Sequence, residues 1–239
     1  MKKLIAVTGA SAGIGAAIAK IFSAQGHPLL LLARRVEPML ALGLPDSLCL
    51  SVDVTDHEAV AAAVAQGEER YGAVDLLVNC AGIMLLGKPE SQDFSEWNAM
   101  IDVNIKGVLA GTTAVLKGMV ERNTGTIINI SSVAGRKTFD LHSVYCGTKF
   151  AVHAITEGMR KEVSGSNVRM IVISPGMVDT DLVSHTSDQQ IVKDYNGWRQ
   201  ALHGGLTPEA VADCVNYAYN QPQNVCVREI VVAKTGQAD

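Results

Sequence analysis

Apolar runs rich in β-branched residues alternate with helical patterns along almost the whole chain. Near-continuous apolar strands are typical of a parallel sheet that is covered on both faces, and the helices between them supply the covering layers. The pattern therefore predicts an α/β fold in which a seven-stranded, mainly parallel sheet is doubly wound with helices. The predicted strands are 4–8, 29–33, 47–52, 76–79, 126–130, 169–173 and 225–232, and the predicted helices are 13–25, 56–71, 94–122, 143–163 and 208–220.

One polar segment interrupts this alternation. Residues 176–206 place roughly thirty residues between a strand and a helix, where α/β connections are normally much shorter. Long insertions at the carboxyl ends of parallel strands are where open α/β sheets bind ligands. We therefore expect a substrate lid at about 176–206, with a plain surface loop as the alternative. The sequence shows no repeat or flexible linker, so residues 1–239 are expected to form a single domain.

The composition narrows the functional classes. The net charge is −4, so nothing in the overall charge attracts nucleic acid or an anionic membrane. The five cysteines contain no C-x-x-C pair, which is typical of reduced thiols in a cytoplasmic protein. The six histidines show no metal-ligand spacing, and no metal is expected. The apolar runs at 4–8 and 29–33 are too short for a signal peptide or a membrane span, so we expect a cytoplasmic protein.

A glycine-rich turn follows the first predicted strand. Gly9, Gly13 and Gly15 lie between that strand and the first helix, in the pattern T-G-x-x-x-G-I-G. Glycine in such a turn allows positive φ and lets a pyrophosphate approach the N–H groups at the helix start. Tight strand-to-helix turns also use glycine for purely structural reasons, so the turn alone is weak support for a nucleotide site.

Tyr145 and Lys149 are four residues apart in a predicted helix, so both side chains lie on one face, about 6 Å apart along the axis. A free phenol titrates at about 10, and a neighbouring ammonium favours the phenolate. We therefore expect Lys149 to lower the pKa of Tyr145 toward the range of a general acid or base. A lysine on an amphipathic helix is more often a solvated surface residue, and the surrounding sequence decides between the two.

Taken together, these motifs resemble the short-chain dehydrogenase/reductase family. The resemblance covers nearly the whole chain and also includes Asn79-Cys80-Ala81-Gly82 and Pro175-Gly176. It implies a Rossmann-type fold, an oxidoreductase acting on CH–OH groups, and a homodimer or homotetramer. Cys80 departs from the family, which more often has a second Asn there. The chain is most similar to the branch of NADP-dependent hydroxy-acid, serine and clavulanate-type dehydrogenases.

The resemblance implies four catalytic residues. Ser132 lies thirteen residues before Tyr145, as the family's catalytic serine does, which selects it over Ser131. Its hydroxyl would bind the substrate carbonyl oxygen, on which charge develops during reduction. Tyr145 would transfer the proton, and Lys149 would also bind the nicotinamide ribose. Asn104 matches the asparagine of a water relay to the lysine. Serines at a strand end can instead satisfy backbone groups.

The end of the second strand indicates NADP rather than NAD. NAD-preferring relatives usually have an acidic residue there, whereas Ala33 is followed by Arg34 and Arg35. Guanidinium groups suit a 2′-phosphate through charge and bidentate hydrogen bonds; two solvated arginines are the alternative. Asp53 is expected at the adenine, with a helix cap as its alternative role. The implied cofactor residues are Gly9, Ser11, Gly13, Ile14, Gly15, Arg34, Arg35, Asp53, Val54, Asn79, Ala81, Gly82, Tyr145, Lys149, Pro175, Gly176, Val178 and Thr180.

The resemblance thus predicts an NADP-dependent oxidoreductase that interconverts a small secondary alcohol and a carbonyl, with Tyr145 as general acid/base. Arg136 and Lys137 lie just beyond the catalytic serine and would suit a hydroxy acid, although two basic residues in a loop are more often only solvated. His142 lies one helical turn before Tyr145. A 3-oxoacyl-type reductase and a regulator that senses NADP without turnover are the alternatives.

Overall fold

A computed structural model describes residues 2–238 and contains one seven-stranded sheet. All neighbouring strands are parallel, in the order β3-β2-β1-β4-β5-β6-β7. The predicted doubly wound α/β fold is therefore confirmed. The strands are β1 Leu4–Thr8, β2 Leu29–Ala33, β3 Ser47–Ser51, β4 Val74–Asn79, β5 Gly125–Ile130, β6 Val168–Pro175 and β7 Glu229–Val232.

Helices cover both faces of the sheet. On one face α1 and α8 pack around Phe22 and Val215, and on the other α3, α5 and α6 pack around Val64 and Met119. Because both faces are covered, the central strands are buried throughout and carry no alternating polar positions. The helices are α1 Gly13–Ala24, α2 Glu37–Leu40, α3 His57–Tyr71, α4 Phe94–Ile101, α5 Gly107–Glu121, α6 Ser143–Glu162, α7 Gln189–Ala201 and α8 Pro208–Tyr219.

The last strand is shorter than predicted. The pattern predicts 225–232, but only Glu229–Val232 pair with β6, at Val172–Pro175. The preceding apolar residues Cys226 and Val227 pack against the core beside α1 and α8 without joining the ladder. The apolar run at 225–232 therefore predicted burial correctly, but its first residues do not form strand hydrogen bonds with β6.

The predicted helix 94–122 is continuous from Phe94 to Glu121 but not uniform. Its middle, Asp102–Lys106, is a π-helix between α4 and α5. Such turns are frequent at functional sites because they change the face on which side chains emerge. An 18-residue window of this helix has a mean hydropathy of 1.3, so by length and composition it is apolar enough to cross a membrane. Core helices pass the same test, and α5 packs on β4 and α3.

The lid segment contains a helix that the sequence pattern did not predict. Asp188 caps α7 by accepting hydrogen bonds from the N–H groups of Gln190 and Ile191 at 2.9 and 3.3 Å. Ile191 is the buried residue of α7, and the half-buried positions 192, 195, 196 and 199 lie on the same helix face. The helical period was therefore present in this polar segment, and reading the whole segment as one loop missed it. It packs with Val183, Met84 and other apolar residues in a small core that includes Tyr145. The lid is therefore a folded element seated on the cleft.

Candidate active site

A cleft of about 940 Å³ lies at the carboxyl ends of the central strands. The loops after β1, β2, β3, β4, β5 and β6 line it, and residues of the segment 176–206 line one side. Strands β1 and β4 are neighbours although they are not consecutive in sequence. Strands β2 and β3 are added on one side of β1 and strands β4 to β7 on the other, so the strand order reverses at this point. Ligand crevices of open α/β sheets lie at such switch points. The volume is at the upper end of the range for cofactor and ligand pockets, which suits a dinucleotide and a small substrate together.

The turn between β1 and α1 presents backbone N–H groups to the cleft. Gly9 and Gly13 have φ of +69° and +51°, a conformation that glycine adopts at no steric cost. A Cβ on Gly15 would clash with the Gly9 carbonyl. Ala12 at the N-cap supplies no side-chain cap, and the first turn of α1 has no acidic residue. The first N–H groups of α1 are therefore available to an anion, and the turn fits a pyrophosphate.

The far end of the cleft is basic. Arg34 and Arg35, directly after β2, are exposed at its rim, and neither forms an ion pair within residues 2–238. The Asp53 carboxylate accepts hydrogen bonds from Thr55 N and Oγ1 at 2.9 and 2.8 Å. The backbone N–H of Thr55 is the main reason that the pKa of Asp53 lies below its ordinary value, and the charge of Arg34 adds to this. Two exposed guanidinium groups without an ion pair thus lie at this end of the cleft, and the charge of Arg34 acts on the Asp53 carboxylate.

Among the predicted cofactor residues, Asn79 alone does not line the cleft. Its amide nitrogen donates to Asn129 Oδ1 at 2.8 Å and to Thr112 Oγ1 at 3.2 Å. The Asn79 side chain is therefore buried between β4, β5 and α5, and its assignment to the cofactor stays a prediction. The next residues do reach the cleft, where Ala81 N donates to Thr8 Oγ1 at 3.1 Å and so joins the ends of β4 and β1.

The fold brings Ser132, Tyr145 and Lys149 together. The Ser132 hydroxyl is hydrogen-bonded to the Tyr145 phenol, and it also accepts from Ala134 N at 3.1 Å. The Lys149 ammonium lies 5.7 Å from the centroid of the Tyr145 ring and donates to the Ile130 carbonyl at 3.0 Å. All three line the cleft. The structure thus places the two hydroxyls and the ammonium where one substrate carbonyl can meet them.

The pKa of Tyr145 differs from the sequence-based expectation. Burial is the largest influence and raises it above its ordinary value, while the hydrogen bond from Ser132 works in the opposite direction. Burial also lowers the pKa of Lys149, to about 8. The expected lowering of the phenol pKa by Lys149 is therefore wrong, because burial penalises the charged form of each group. The phenol is protonated at neutral pH.

The π-helix positions Asn104, which is 1% exposed. Its amide oxygen accepts from Ile83 N at 2.9 Å, and its amide nitrogen donates to Ile83 O at 2.9 Å and to Thr148 Oγ1 at 3.1 Å. Asn104 thereby joins the loop after β4 to α6, directly beside Lys149. Its side chain does not line the cleft, so what it does in this structure is hold the lysine's surroundings in place.

The segment after β6 closes the nicotinamide end of the predicted site. Gly176, Val178 and Thr180 line the cleft as predicted. Val178 pairs with Leu206 in a β-bridge that ties the two ends of the lid together. The Thr180 methyl group would lie 3.0 Å from a Cβ on Gly13. The lid base therefore meets the glycine turn, and a side chain on Gly13 would narrow the passage between them.

Behind Ser132 a polar cluster holds its loop to α6 and β7. The His153 ring lies 3.4 Å from Ser131 Oγ and 3.1 Å from the Glu229 carboxylate. Arg136 donates to the same carboxylate at 2.6 Å, and the Lys137 ammonium lies 5.3 Å from the centroid of the Phe139 ring. Neither Arg136 nor Lys137 lines the cleft. Arg136 and Lys137 therefore do not support the hypothesis that the cleft binds a hydroxy acid.

The sequence analysis missed a row of rings beside Tyr145, which we call the aromatic wall. It consists of Phe139, His142, Tyr195 and Trp198, with successive ring centroids 5.7, 6.4 and 5.7 Å apart. The first two precede α6 and the others lie on α7, three residues apart and so on one helix face. All four line the cleft, and His142 also contacts the Tyr145 ring. Predicting α7 as a helix would have shown that Tyr195 and Trp198 lie on one face.

Known proteins match this chain along most of its length. A family model described as short chain dehydrogenase matches residues 3–191. An uncharacterised oxidoreductase of Staphylococcus saprophyticus is 40% identical over 242 residues, which covers 99% of this chain and 97% of the relative. The closed form of serine dehydrogenase complexed with NADP+ superposes with a TM-score of 0.89 at 32% identity, covering 99% of this chain and 96% of that chain.

A second solved structure extends the comparison. The alcohol dehydrogenase from the archaeon Thermococcus sibiricus, complexed with 5-hydroxy-NADP, superposes with a TM-score of 0.86 at 26% identity, covering 100% of this chain and 99% of that chain. Both solved proteins span the lid as well as the sheet. The similarity therefore includes the whole cleft.

Proposed function

Because this chain belongs to the short chain dehydrogenase family, we propose that it interconverts a secondary alcohol and a carbonyl compound by NADP(H)-dependent hydride transfer. The observation that carries the proposal is the hydrogen bond between Ser132 and Tyr145 in the cleft, with the Lys149 ammonium beside the phenol ring. Two hydroxyls that converge on one point can both donate to a carbonyl oxygen, the atom on which negative charge develops during reduction.

Tyr145 and Ser132 have different roles at the carbonyl oxygen of the substrate. NADPH, when bound, supplies the hydride for the carbonyl carbon. Tyr145 gives its phenolic proton to the carbonyl oxygen, and burial favours the protonated phenol that this step requires. Ser132 holds the oxygen in line by its second hydrogen bond. In the reverse direction the tyrosine oxygen receives the proton of the alcohol, and the nearby Lys149 ammonium stabilises the charge on the phenolate.

The lid keeps this proton transfer out of bulk water. Ile191 and Val183 pack in the same small core as Tyr145, so a lid in this position excludes solvent from one side of the phenol. Excluding water strengthens the electrostatic interactions of the site and prevents leakage of the proton. A solved relative is described as a closed form with NADP+ bound, which supports lid closure over the cofactor here.

Tyr145→Phe tests the enzymatic role. We expect kcat for reduction of a ketone panel to fall by at least about 100-fold, the lower end of the range for a general acid, while NADPH binding stays within about twofold. Tyr217→Phe is the matched control, because Tyr217 is exposed on α8 and away from the cleft. If the Tyr145 variant retained wild-type turnover, the mechanism would be wrong, and bound NADPH without turnover in the wild type would support a sensing role.

NADP preference is proposed from the basic end of the cleft. Among the described residues 2–238, Arg34 and Arg35 form no ion pair with a carboxylate, and both solved relatives described above hold NADP-type ligands. Arg34→Ser is expected to lower kcat/KM for NADPH by roughly 10- to 100-fold, the value of one hydrogen bond between charged groups. kcat/KM for NADH should change little. Arg70→Ser, on α3, is the control; an equal loss for both cofactors would refute the assignment.

We also propose that the protein forms a homo-oligomer through α4, α5 and α6. Phe94, Ile101 and Phe150 are exposed on this side of the molecule, and Phe94 is 65% exposed. Large apolar side chains on exposed helices commonly mark association surfaces. Sedimentation velocity distinguishes a monomer from a dimer or tetramer, and a monomer at micromolar concentration would exclude this arrangement.

A further inference from the structure

His142 differs from the other rings of the aromatic wall in the hydrogen-bonding atoms it carries. Its Nδ1 lies 2.6 Å from the backbone carbonyl oxygen of Asp140. A carbonyl oxygen only accepts hydrogen bonds, so Nδ1 is the donor and keeps its proton. Burial is the main influence on the pKa of His142 and lowers it below its ordinary value, so the ring is neutral at pH 7. Nε2, on the opposite edge of the ring, therefore carries a lone pair.

This lone pair is available in the cleft. Within residues 2–238 the one hydrogen bond of the His142 ring is that to the Asp140 carbonyl, and the residue lines the cleft. The His142 and Tyr145 rings are in edge contact, with centroids 6.2 Å apart. Because both residues line the same cleft, a substrate whose carbonyl oxygen meets the Tyr145 hydroxyl has its neighbouring carbon within reach of the His142 ring.

The apolar residues of the cleft allow His142 Nε2 to discriminate between substrates. Met84, Met177 and Val183 supply an apolar lining around the substrate position. In such a lining one fixed acceptor discriminates between substrates, because a buried polar group left unpaired costs free energy. A neutral lone pair also repels a carboxylate oxygen, which has no hydrogen to donate.

On the basis of the proposed function, we infer that His142 determines substrate specificity by accepting a hydrogen bond from a hydroxyl group on the carbon next to the reacting carbonyl. The favoured substrates are then α-hydroxy carbonyl compounds and the vicinal diols formed from them. Plain ketones and 2-oxo acids are disfavoured. Arg199, which also lines the cleft and lies 3.9 Å from Asp179, is the residue that would favour a carboxylate instead.

Hydroxyacetone shows the balance of the reaction. Its carbonyl carbon gains a hydride from NADPH, which is oxidised to NADP+, and the π-electron pair moves to the carbonyl oxygen. That oxygen takes the proton of Tyr145, which is replaced from solvent, and the product is propane-1,2-diol. The hydroxyl on the neighbouring carbon is unchanged and donates to His142 Nε2 throughout.

Three probes of similar size test the inference: hydroxyacetone, butanone, in which a methyl replaces the hydroxyl, and pyruvate, which carries a carboxylate. The wild type is expected to show kcat/KM about tenfold higher for hydroxyacetone than for butanone, the value of one hydrogen bond to a neutral acceptor, and lowest for pyruvate. His142→Phe keeps an aromatic ring but removes the acceptor, so the ratio of kcat/KM for hydroxyacetone to that for butanone should fall to about one. His142→Gln places an amide oxygen near the Nε2 position and should retain part of the preference.

His57→Phe, the same exchange at the exposed start of α3, should leave the ratio unchanged. Equal wild-type kcat/KM for hydroxyacetone and butanone, an unchanged ratio in His142→Phe, or pyruvate as the best probe would overturn the inference. A pyruvate preference lost in Arg199→Met would assign the role to Arg199.

Binding distinguishes failure of the inference from failure of the proposed function. If no probe is reduced, ligand-observed NMR with the NADP+ complex compares propane-1,2-diol with butan-2-ol. A preference for the diol that His142→Phe removes would support the role of His142 and contradict only the proposed turnover. Equal binding, or no binding of either alcohol, would overturn the inference itself.

Discussion

Replacing Lys149 by Met is expected to stabilise the cofactor-free protein while removing the ammonium from the cleft. Lys149 is 6% exposed, and its ammonium donates to the Ile130 carbonyl at 3.0 Å. Burial lowers its pKa from 10.5 to about 8, so the unfolded chain binds this proton more tightly than the folded protein does. Below pH 8 both states are protonated and the full cost of burying the charge is present. Between pH 8 and 10.5 the folded protein releases its proton first, so stability rises with pH.

The size of the effect follows from the shift of the pKa. From 10.5 to about 8 is a difference of about 2.5 units, and each unit corresponds to about 1.36 kcal/mol. The buried ammonium therefore costs about 3 kcal/mol at pH 7, and about 1 kcal/mol remains at pH 10. Methionine has a similar length and no charge. Lys149→Met should thus exceed the wild type in free energy of unfolding by about 3 kcal/mol at pH 7.

Urea unfolding of both proteins without cofactor, at unit steps from pH 7 to pH 10, measures this difference. Subtracting the two curves cancels the titration of other groups, which the variants share. Lys117→Met is the control, because Lys117 is 88% exposed on α5; its effect should stay within about 0.5 kcal/mol at every pH. If Lys149→Met were no more stable at pH 7, or if its advantage did not shrink with rising pH, burial would not be what lowers the lysine pKa.

Two further predictions concern packing and are checked by thermal or urea unfolding. Gly111→Ala should lower the free energy of unfolding by about 1–3 kcal/mol, because its Cβ would clash with the buried Asn79 Oδ1. Gly158→Ala is the control: it lies on α6 with nothing within 4 Å of the new methyl group and should raise the free energy of unfolding by about 0.5–1 kcal/mol. Equal effects of the two substitutions would refute the argument. Arg169→Met should cost about 3 kcal/mol, since the buried guanidinium donates to Thr126 Oγ1 and to backbone carbonyls at the end of α8; a loss below about 1 kcal/mol would contradict it.

Local patterns were sufficient for the framework of the fold. β1 and β2 occupy the residues predicted for them, because buried parallel strands are written as uninterrupted apolar runs. Thr207 and Pro208 begin α8 as a cap and a first-turn proline do generally, and Thr207 Oγ1 accepts from Ala210 N. The glycine turn was readable for the same reason: its backbone conformation depends on the residues within it.

Other features depend on contacts between distant parts of the chain. The π-helix at Asp102–Lys106 has no local signature, and it exists where Asn104 meets Ile83 and Thr148. Helix α7 is stabilised by docking one residue, Ile191, on the cleft. Such contacts between residues distant in sequence cannot be predicted from a short segment of the chain or from its periodicity.

By itself the sequence determined the seven strands and five helical segments to within a few residues in most cases, where the glycine turn lies, and that a tyrosine and a lysine share one helix face. Only the tertiary structure decided the ionisation of that pair and the chemistry of the wall opposite it. Spacing along a helix specifies how far apart Tyr145 and Lys149 are, but not how much water surrounds them, and desolvation is the largest influence on the pKa of each. Likewise, His142 became a neutral acceptor because a backbone carbonyl holds one nitrogen and burial keeps the ring uncharged.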